Sequence, residues 1–247
     1  MTDRSDPFDA VRAGFLPAAL ACAVFEGFTP LMMTNAAKKA GVTEAELAAA
    51  FPAGPIGIIE YWSAMADRAA AAALAGEGAK GLKIREKVAL AVEARIAFLR
   101  PHKEAARRAA AFLALPPNVA AAARLIWSAS DAIWRAMGDP STDFNYYSKR
   151  AILSGVISST MARWFADDSE DEAETKSFLR ARIENVMQFE KLKAKVRESG
   201  FDPEGMFGWL ARMRYPETKS ARARQEEKID EALRESFPAS DPPYWTG

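Results

Sequence analysis

The chain has 247 residues, enough for one large domain or a small module fused to a larger one, and 49% of them are apolar, so a sizeable core is within reach. Its 33 basic residues balance 33 acidic ones, which excludes an overall field that would hold it on nucleic acid or on an anionic membrane; any basic patch must be local. The single cysteine, Cys22, excludes an intramolecular disulfide and a cysteine-based metal site, and its place in the apolar run 18–25 suits a small buried hydrophobe.

The start of the chain mixes Asp3, Arg4, Asp6 and Asp9 with Pro7. It lacks the apolar centre of a signal peptide and the acid-poor bias of a transit peptide, so a cytoplasmic protein is expected. The longest apolar stretches, such as 64–75 with Asp67 and Arg68 inside it, fall short of the roughly 20 residues that a spanning helix needs. Alanine, leucine, glutamate and basic residues dominate, and apolar positions recur at spacings of three and four, which predicts an all-α fold. Breakers at Gly27 with Pro30, Gly41, Pro52 to Gly57, Gly76 to Gly81, Pro116 with Pro117, and Gly138 with Pro140 imply about nine helices before residue 200. The expected organisation is a front region 1–75, a helical region 76–199, and an appended segment 200–247 where composition shifts.

From Leu16 to Trp62 the order reads helix, turn, short helix, Ala40-Gly41-Val42-Thr43, short helix, Phe51-Pro52, longer helix. Gly41 supplies a left-handed turn, Thr43 caps the following helix, Glu44 and Glu46 suit its positive end, and Phe51 plugs a small core. This arrangement resembles the helix-turn-helix front of TetR regulators, in which the second short helix reads the major groove. Here that helix runs Glu44-Ala-Glu-Leu-Ala-Ala-Ala50, with no Arg, Lys, Asn or Gln to bond base edges and two carboxylates facing phosphate. The expectation is a retained scaffold and little DNA binding, with Lys38 and Lys39 as weak compensation.

Further along, residues 82–100 place Leu82, Val88, Ala89, Val92, Ile96 and Leu99 on one helical face, and Pro101 stops that helix. Apolar residues within the later helices, Phe98, Phe112, Leu113, Leu125 and Ile126, then Ile133, Trp134, Ile152, Val156 and Ile157, then Phe178, Ile183 and Met187, are interleaved with alanines. Periodicity alone fits them equally to a packed core or to the lining of a cavity.

The most specific stretch is Asp131-Ala-Ile-Trp134 followed by Gly138-Asp-Pro-Ser-Thr-Asp-Phe-Asn-Tyr-Tyr-Ser-Lys-Arg150, then Leu153, Gly155 and Ser159-Thr160. Gly138 ends one helix, and Asp139 before Pro140 can cap the next, with Pro140 at its first position. Asp143, Tyr146, Tyr147 and Arg150 share one helical face. They fit either a salt-bridged corner that orients two helices or a recognition patch with aromatic and Arg anchors and a solvent-facing Tyr146. Together with Phe51-Pro52-x-Gly54-Pro55 and Leu115-Pro116-x-Asn118, this motif resembles the TetR-like, lipid-binding accessory family of ubiquinone (coenzyme Q) biosynthesis, with similarity from about Val11 to about Gln188.

The resemblance implies a hydrophobic cavity behind Gly81 for an isoprenoid quinone intermediate or another lipid. It also implies a partner, the di-iron demethoxyubiquinone hydroxylase, near the 143–150 corner, and a homodimer formed by about 145–166 and 172–196. On that reading Tyr146→Ala or Arg150→Ala weakens hydroxylase binding by more than about 1 kcal/mol while stability stays nearly unchanged. The alternative that shares the fold is a TetR-type regulator sensing a hydrophobic ligand.

In the appended segment, Met206, Phe207, Trp209, Leu210 and Met213 form an apolar, aromatic-rich run beside Arg212 and Arg214. This fits an interfacial helix that attaches the protein peripherally to the inner membrane, as the resemblance implies, or a segment that packs back on the bundle. The end, from Lys228, is similar to a short element found at the ends of assorted bacterial proteins, with Ser236-Phe-Pro-Ala-Ser-Asp-Pro-Pro243 as its hallmark. No enzyme is expected. His102 is the only histidine, the acidic run 167–172 suits a helix-capping loop better than a calcium loop, and no phosphate loop, dinucleotide fingerprint or nucleophile elbow is present, so neither a cofactor nor a metal is called for.

Overall fold

The computed structural model of the protein describes residues 6–140 and 144–198. Among these residues there are nine α-helices, short 3-10 turns and no strand, the all-α fold the sequence predicts. Helix α1 spans Asp9–Glu26 and buries Phe15, Leu16, Ala19, Leu20, Cys22 and Ala23 on one side. Helix α2, Pro30–Ala40, starts where the Thr29 hydroxyl accepts the Met32 amide at 3.0 Å and Pro30 sets the first helical φ. It ends at Gly41, whose φ of 67° is a left-handed conformation that costs glycine little and any β-carbon more.

Helix α3, Glu44–Ala50, opens with a reciprocal cap. The Thr43 amide donates to Glu46 Oε2 at 2.9 Å and the Glu46 amide donates to Thr43 Oγ1 at 3.3 Å. Such a cap contributes on the order of 1 kcal/mol, enough to fix a helix too short to persist alone. Phe51 follows, 3% exposed, with its ring 5.3 Å from Phe15 and 6.3 Å from Tyr61, and so plugs the small core of α1 to α4.

Helix α4, Pro55–Ala75, is the long strut: it packs on α1, on α5 (Ile84–Leu99) and on α7 (Val119–Ala136). Between α5 and α7, Pro101 closes α5 into the 3-10 turn Arg100–His102, from which α6 (Lys103–Leu113) leaves, and a second 3-10 turn at Pro116–Asn118 redirects the chain into α7. Helices α8 (Phe144–Phe165) and α9 (Ala173–Glu198) complete the set, with α8 packed on α7. Residues up to Gln188 form one compact unit; a second begins at Phe189, and of it only the last turns of α9 are described. The front region 1–75 ends with α4, whose contacts reach α1 as well as α5 and α7.

Candidate functional site

Between α4, α5, α6, α7 and α8 lies an apolar cleft of about 480 Å³. Its buried floor is made by Ile59 and Trp62 of α4, Leu99 of α5, Ala106 and Ala109 of α6, Ala129 of α7 and Ile157 of α8. Seven alanines, at 106, 109, 110, 114, 122, 129 and 162, stand in its walls. Their short side chains leave the volume open where leucines would close it, so the alanine-rich composition produces the cleft directly. The rim is exposed at Ala114, Val119, Ser158 and Ala162.

Of the apolar residues named from the sequence, Leu113, Leu125, Ile126 and Ile157 line this cleft. The others stand elsewhere. Ile133, Val156 and Ile183 belong to the packed core, where the row that Ala129 begins on α7 is closed off by Ile133, 1% exposed. Phe98 and Trp134 are half-buried against the core, and Phe112 turns toward Phe28, ring to ring at 6.4 Å. Ile152 is half-buried, and Phe178 lies with its ring 6.0 Å from the Arg182 guanidinium. The Met187 side chain lies outside the described residues.

The cleft has one ionic feature, and the sequence reading passed over it. Arg95 is 9% exposed and lines the cleft beside Ser63. Its guanidinium pairs with Asp67 and donates to Ser63 Oγ at 2.8 Å and to the Ser63 carbonyl at 3.3 Å, while its buried Nε has no hydrogen-bond partner among the described residues. Burial pushes its pKa down to about 10, still high enough for a full charge at neutral pH. The signal was present in the spacing: Val88, Ala91, Val92, Arg95, Ile96 and Leu99 recur at three and four, which puts Arg95 inside the apolar stripe.

The second feature is the corner between α7 and α8. Gly138, at φ 75°, turns the chain out of α7, as expected. Pro140 is not helical, contrary to the expectation, and the Asp139 carboxylate, its side chain 3% exposed, accepts from Lys149 Nζ at 2.7 Å and from Arg150 at 3.3 Å. Asp139 is a buried counter-ion for α8, because two cations in the second turn of that helix approach it. Arg150, 1% exposed, also donates from Nε to Asp131 Oδ1 at 2.7 Å and from Nη1 to the Tyr146 carbonyl at 3.1 Å, and its guanidinium carbon lies 3.4 Å from the centre of the Tyr146 ring. The other Asp131 oxygen meets Arg135 at 2.7 Å, and the Tyr146 hydroxyl donates to Asp131 at 3.1 Å. Burial disfavours the Asp131 charge, but hydrogen bonds from Arg150 and Tyr146 outweigh it and hold the carboxyl below its ordinary range.

Two expectations change here. Arg150 is interior, so its removal acts on stability, and the solvent-facing aromatic is Tyr147, 61% exposed, while Tyr146 is half-buried against Asp131. One residue of register on α8 turns the two tyrosines to different sides. Tyr147 sits 6.2 Å from the Trp127 ring and 5.1 Å from Tyr146, a small aromatic cluster reaching the surface. Asp143 lies outside the described residues, as do Met206, Phe207, Trp209, Leu210 and Met213.

The acidic run 167–172 forms a capping loop. Asp167 Oδ1 accepts from the Ser169 amide at 2.9 Å and Oδ2 from the Thr175 amide at 2.7 Å; although burial opposes its charge, bonds from Ser169 and Thr175 hold its pKa far below the ordinary range. Glu172 accepts from the Trp164 indole at 2.6 Å and from Arg100 at 2.8 and 3.0 Å. These bonds offset the left-handed backbone of Asp171 (φ 52°) and Glu172 (φ 57°). His102 stands edge-on to Trp62 at 6.3 Å, and among the described residues no cluster of His, Cys, Asp or Glu could hold a metal ion.

Comparison with known proteins joins these features. Residues 119–190, which contain α7, the corner and α8, match the COQ9 family model. Over 110 residues the chain is 37% identical to the mitochondrial ubiquinone biosynthesis protein COQ9 of Rattus norvegicus and 36% identical to that of Homo sapiens, in each case across 44% of this chain and 35% of the relative. A longer match to the Drosophila melanogaster protein of the same name is 26% identical over 192 residues, 76% of this chain and 59% of that protein. The chain thus spans about a third of the length of the rat and human proteins at the higher identity. In fold it is similar to the TetR transcriptional regulator of Nitrosomonas europaea ATCC 19718, with a TM-score of 0.60 at 15% identity over 73% of this chain and 99% of that one. From 119 to 190, then, the chain matches the COQ9 family model, within an all-α fold similar to that of a TetR regulator.

Proposed function

We propose that this protein takes part in ubiquinone biosynthesis as a non-catalytic, lipid-binding accessory protein. It holds an isoprenoid quinone intermediate or another lipid in the α4–α8 cleft and presents it to the di-iron demethoxyubiquinone hydroxylase. The observation that carries the reading is the apolar cleft of about 480 Å³, one side of which is built by the COQ9-like segment. That volume falls within the roughly 300–1,000 Å³ of small-ligand sites. It suits a ring and the first part of a tail, with the remainder leaving by the Val119 rim. The α7–α8 corner, with Tyr147 at the surface, is the docking face for the hydroxylase.

The rat and human relatives are named as mitochondrial proteins, which implies a mitochondrial location beside the cytoplasmic one expected from the N-terminal residues. Peripheral attachment to the inner membrane is the finer proposal, and it rests on the apolar run from Met206 to Met213. No single described helix is long and apolar enough to cross a membrane. We propose a homodimer through α8 and α9, which light scattering tests by mass.

Native mass spectrometry of the purified protein, followed by extraction, tests the central claim. Stoichiometric quinone or phospholipid is expected; a lipid-free protein that also fails to take up added quinone overturns it. The second reading, a regulator sensing a hydrophobic ligand, is favoured by the TetR-like fold. Against it stands α3, whose residues Glu44 to Ala50 offer no base-reading side chain. Sequence-specific, salt-sensitive duplex binding would make that second reading the better one.

A further inference from the structure

We propose that Arg95 forms a polar subsite in the wall of the cleft for an uncharged oxygen acceptor, a quinone, ketone or ester carbonyl, on the head of an otherwise apolar ligand. The proposal rests on the lipid-binding reading of the cleft and adds to it the ligand's head chemistry and direction of entry. A guanidinium in the middle of the apolar face of α5 is costly, and α4 supplies Asp67 and Ser63, one turn apart, to hold it. The arrangement is nevertheless incomplete, since Nε is buried and has no partner among the described residues. Buried donors are almost always satisfied, and this one belongs to a side chain that lines the cleft beside Ser63, the polar part of an otherwise apolar wall.

The charge balance selects the kind of acceptor. Asp67 already neutralises Arg95, and both side chains are about nine-tenths buried, at 12% and 10% exposed. A ligand carboxylate would bring a second anion into a site that holds one cation, and would lose its hydration in doing so. A carbonyl oxygen meets neither cost. Ser63 Oγ, which accepts from Arg95, keeps a proton that can be donated to the same oxygen. With Arg95 and Ser63 near-buried and the rim open at Ala114, Val119, Ser158 and Ala162, the head enters first and the tail points outward.

Isothermal titration of the delipidated full chain with three probes of one shape tests this: hexylbenzoquinone, hexylbenzene and 4-hexylbenzoate. The quinone is expected to bind about tenfold tighter than hexylbenzene, the effect of one hydrogen bond to a charged donor, and the benzoate no tighter than hexylbenzene. In Arg95→Lys, which keeps a cation against Asp67 but has no Nε, the ratio of quinone to hexylbenzene affinity is expected to fall below about threefold.

Equal binding of quinone and hexylbenzene by the unmodified protein overturns the subsite and leaves the lipid-binding reading standing, and it needs no variant to be decisive. An advantage that survives in a folded Arg95→Lys assigns the acceptor contact elsewhere and also overturns it. Tighter binding of the benzoate overturns the preference for an uncharged head. Failure of all three probes to bind removes the lipid-binding reading of the cleft itself.

Discussion

Replacing Arg150 by alanine should destabilise the protein by about 3 kcal/mol, and the figure follows from what the side chain leaves behind. Breaking a buried ion pair by removing one partner costs roughly 3–5 kcal/mol, because the other charge remains buried without compensation. Arg150 serves two carboxylates, Asp131 at 2.7 Å and Asp139 at 3.3 Å, with Arg150 2% and Asp139 3% exposed at the side chain. Neither acid is stranded entirely, since Arg135 still meets Asp131 and Lys149 still meets Asp139, each at 2.7 Å. The lower end of the range is therefore the expectation. The natural control is Arg135→Ala: that side chain meets the same Asp131 but is 72% exposed, so its removal should cost less than about 1 kcal/mol. Urea unfolding followed by circular dichroism, at fixed protein concentration, reads both values. A loss below about 1 kcal/mol for Arg150→Ala, or equal losses for the two variants, would refute the view that the α7–α8 corner is held by a buried ionic centre.

Three further outcomes are expected. Tyr147→Ala should leave stability within about 0.5 kcal/mol, since the ring is 61% exposed, while weakening calorimetrically measured binding to the hydroxylase by more than about 1 kcal/mol; unchanged binding would move the docking face elsewhere. Asp167 has a folded pKa far below its unfolded value near 3.8, so its contribution is complete above about pH 4 and is lost as pH falls below that. The stability gap between the unmodified protein and Asp167→Asn should therefore narrow on acidification below about pH 4, and a gap constant from pH 7 to pH 3 would contradict the capping account. Ala110→Trp, on the half-buried wall of the cleft, should reduce co-purifying lipid by more than about half without unfolding the protein. Undiminished lipid in a folded variant would place the ligand outside the cleft.

Much of the fold could be read from local chemistry. The Ala40-Gly41-Val42-Thr43 run carries a left-handed turn and a reciprocal cap within a few residues, and both form as the sequence predicts. Phe51 likewise takes its place in the small core. The cleft was less legible because periodicity reports which face of a helix is apolar and says nothing of how much volume opposes it. Leu125 and Ile133 share the pattern of α7, yet one meets open space and the other is sealed. Arg95 was hidden for a related reason: in composition it is one basic residue among 33, and only its register on α5, together with Asp67 and Ser63 on α4, sets it apart. At the corner, Asp139-Pro140 has the signature of a helix start, and the two cations on α8 that bring the carboxylate into an ionic centre are not legible from that local signature.

The cleft and the corner are not independent, because the same two helices build both. Leu125, Ile126 and Ala129 of α7 and Ile157 and Met161 of α8 stand in the cleft, while Asp131 and Trp134 of α7 and Tyr146 to Arg150 of α8 make the corner. Between them the Ser130 and Ser154 hydroxyls meet at 2.9 Å, a polar contact where the helices touch. Packed helices move as units, so a partner that repositions α8 through Tyr147 also displaces Ile157 and Met161 relative to α7. On the proposed function, docking at the surface and the width of the cleft are linked, and linkage requires that bound lipid change partner affinity by the same factor that the partner changes lipid affinity. A lipid-presenting protein needs that reciprocity: a carrier whose grip is indifferent to its recipient has no means of releasing its ligand to the right one. Titrating the hydroxylase against lipid-loaded and delipidated protein measures the factor, and a factor of one would separate the two sites and reduce the corner to a structural joint.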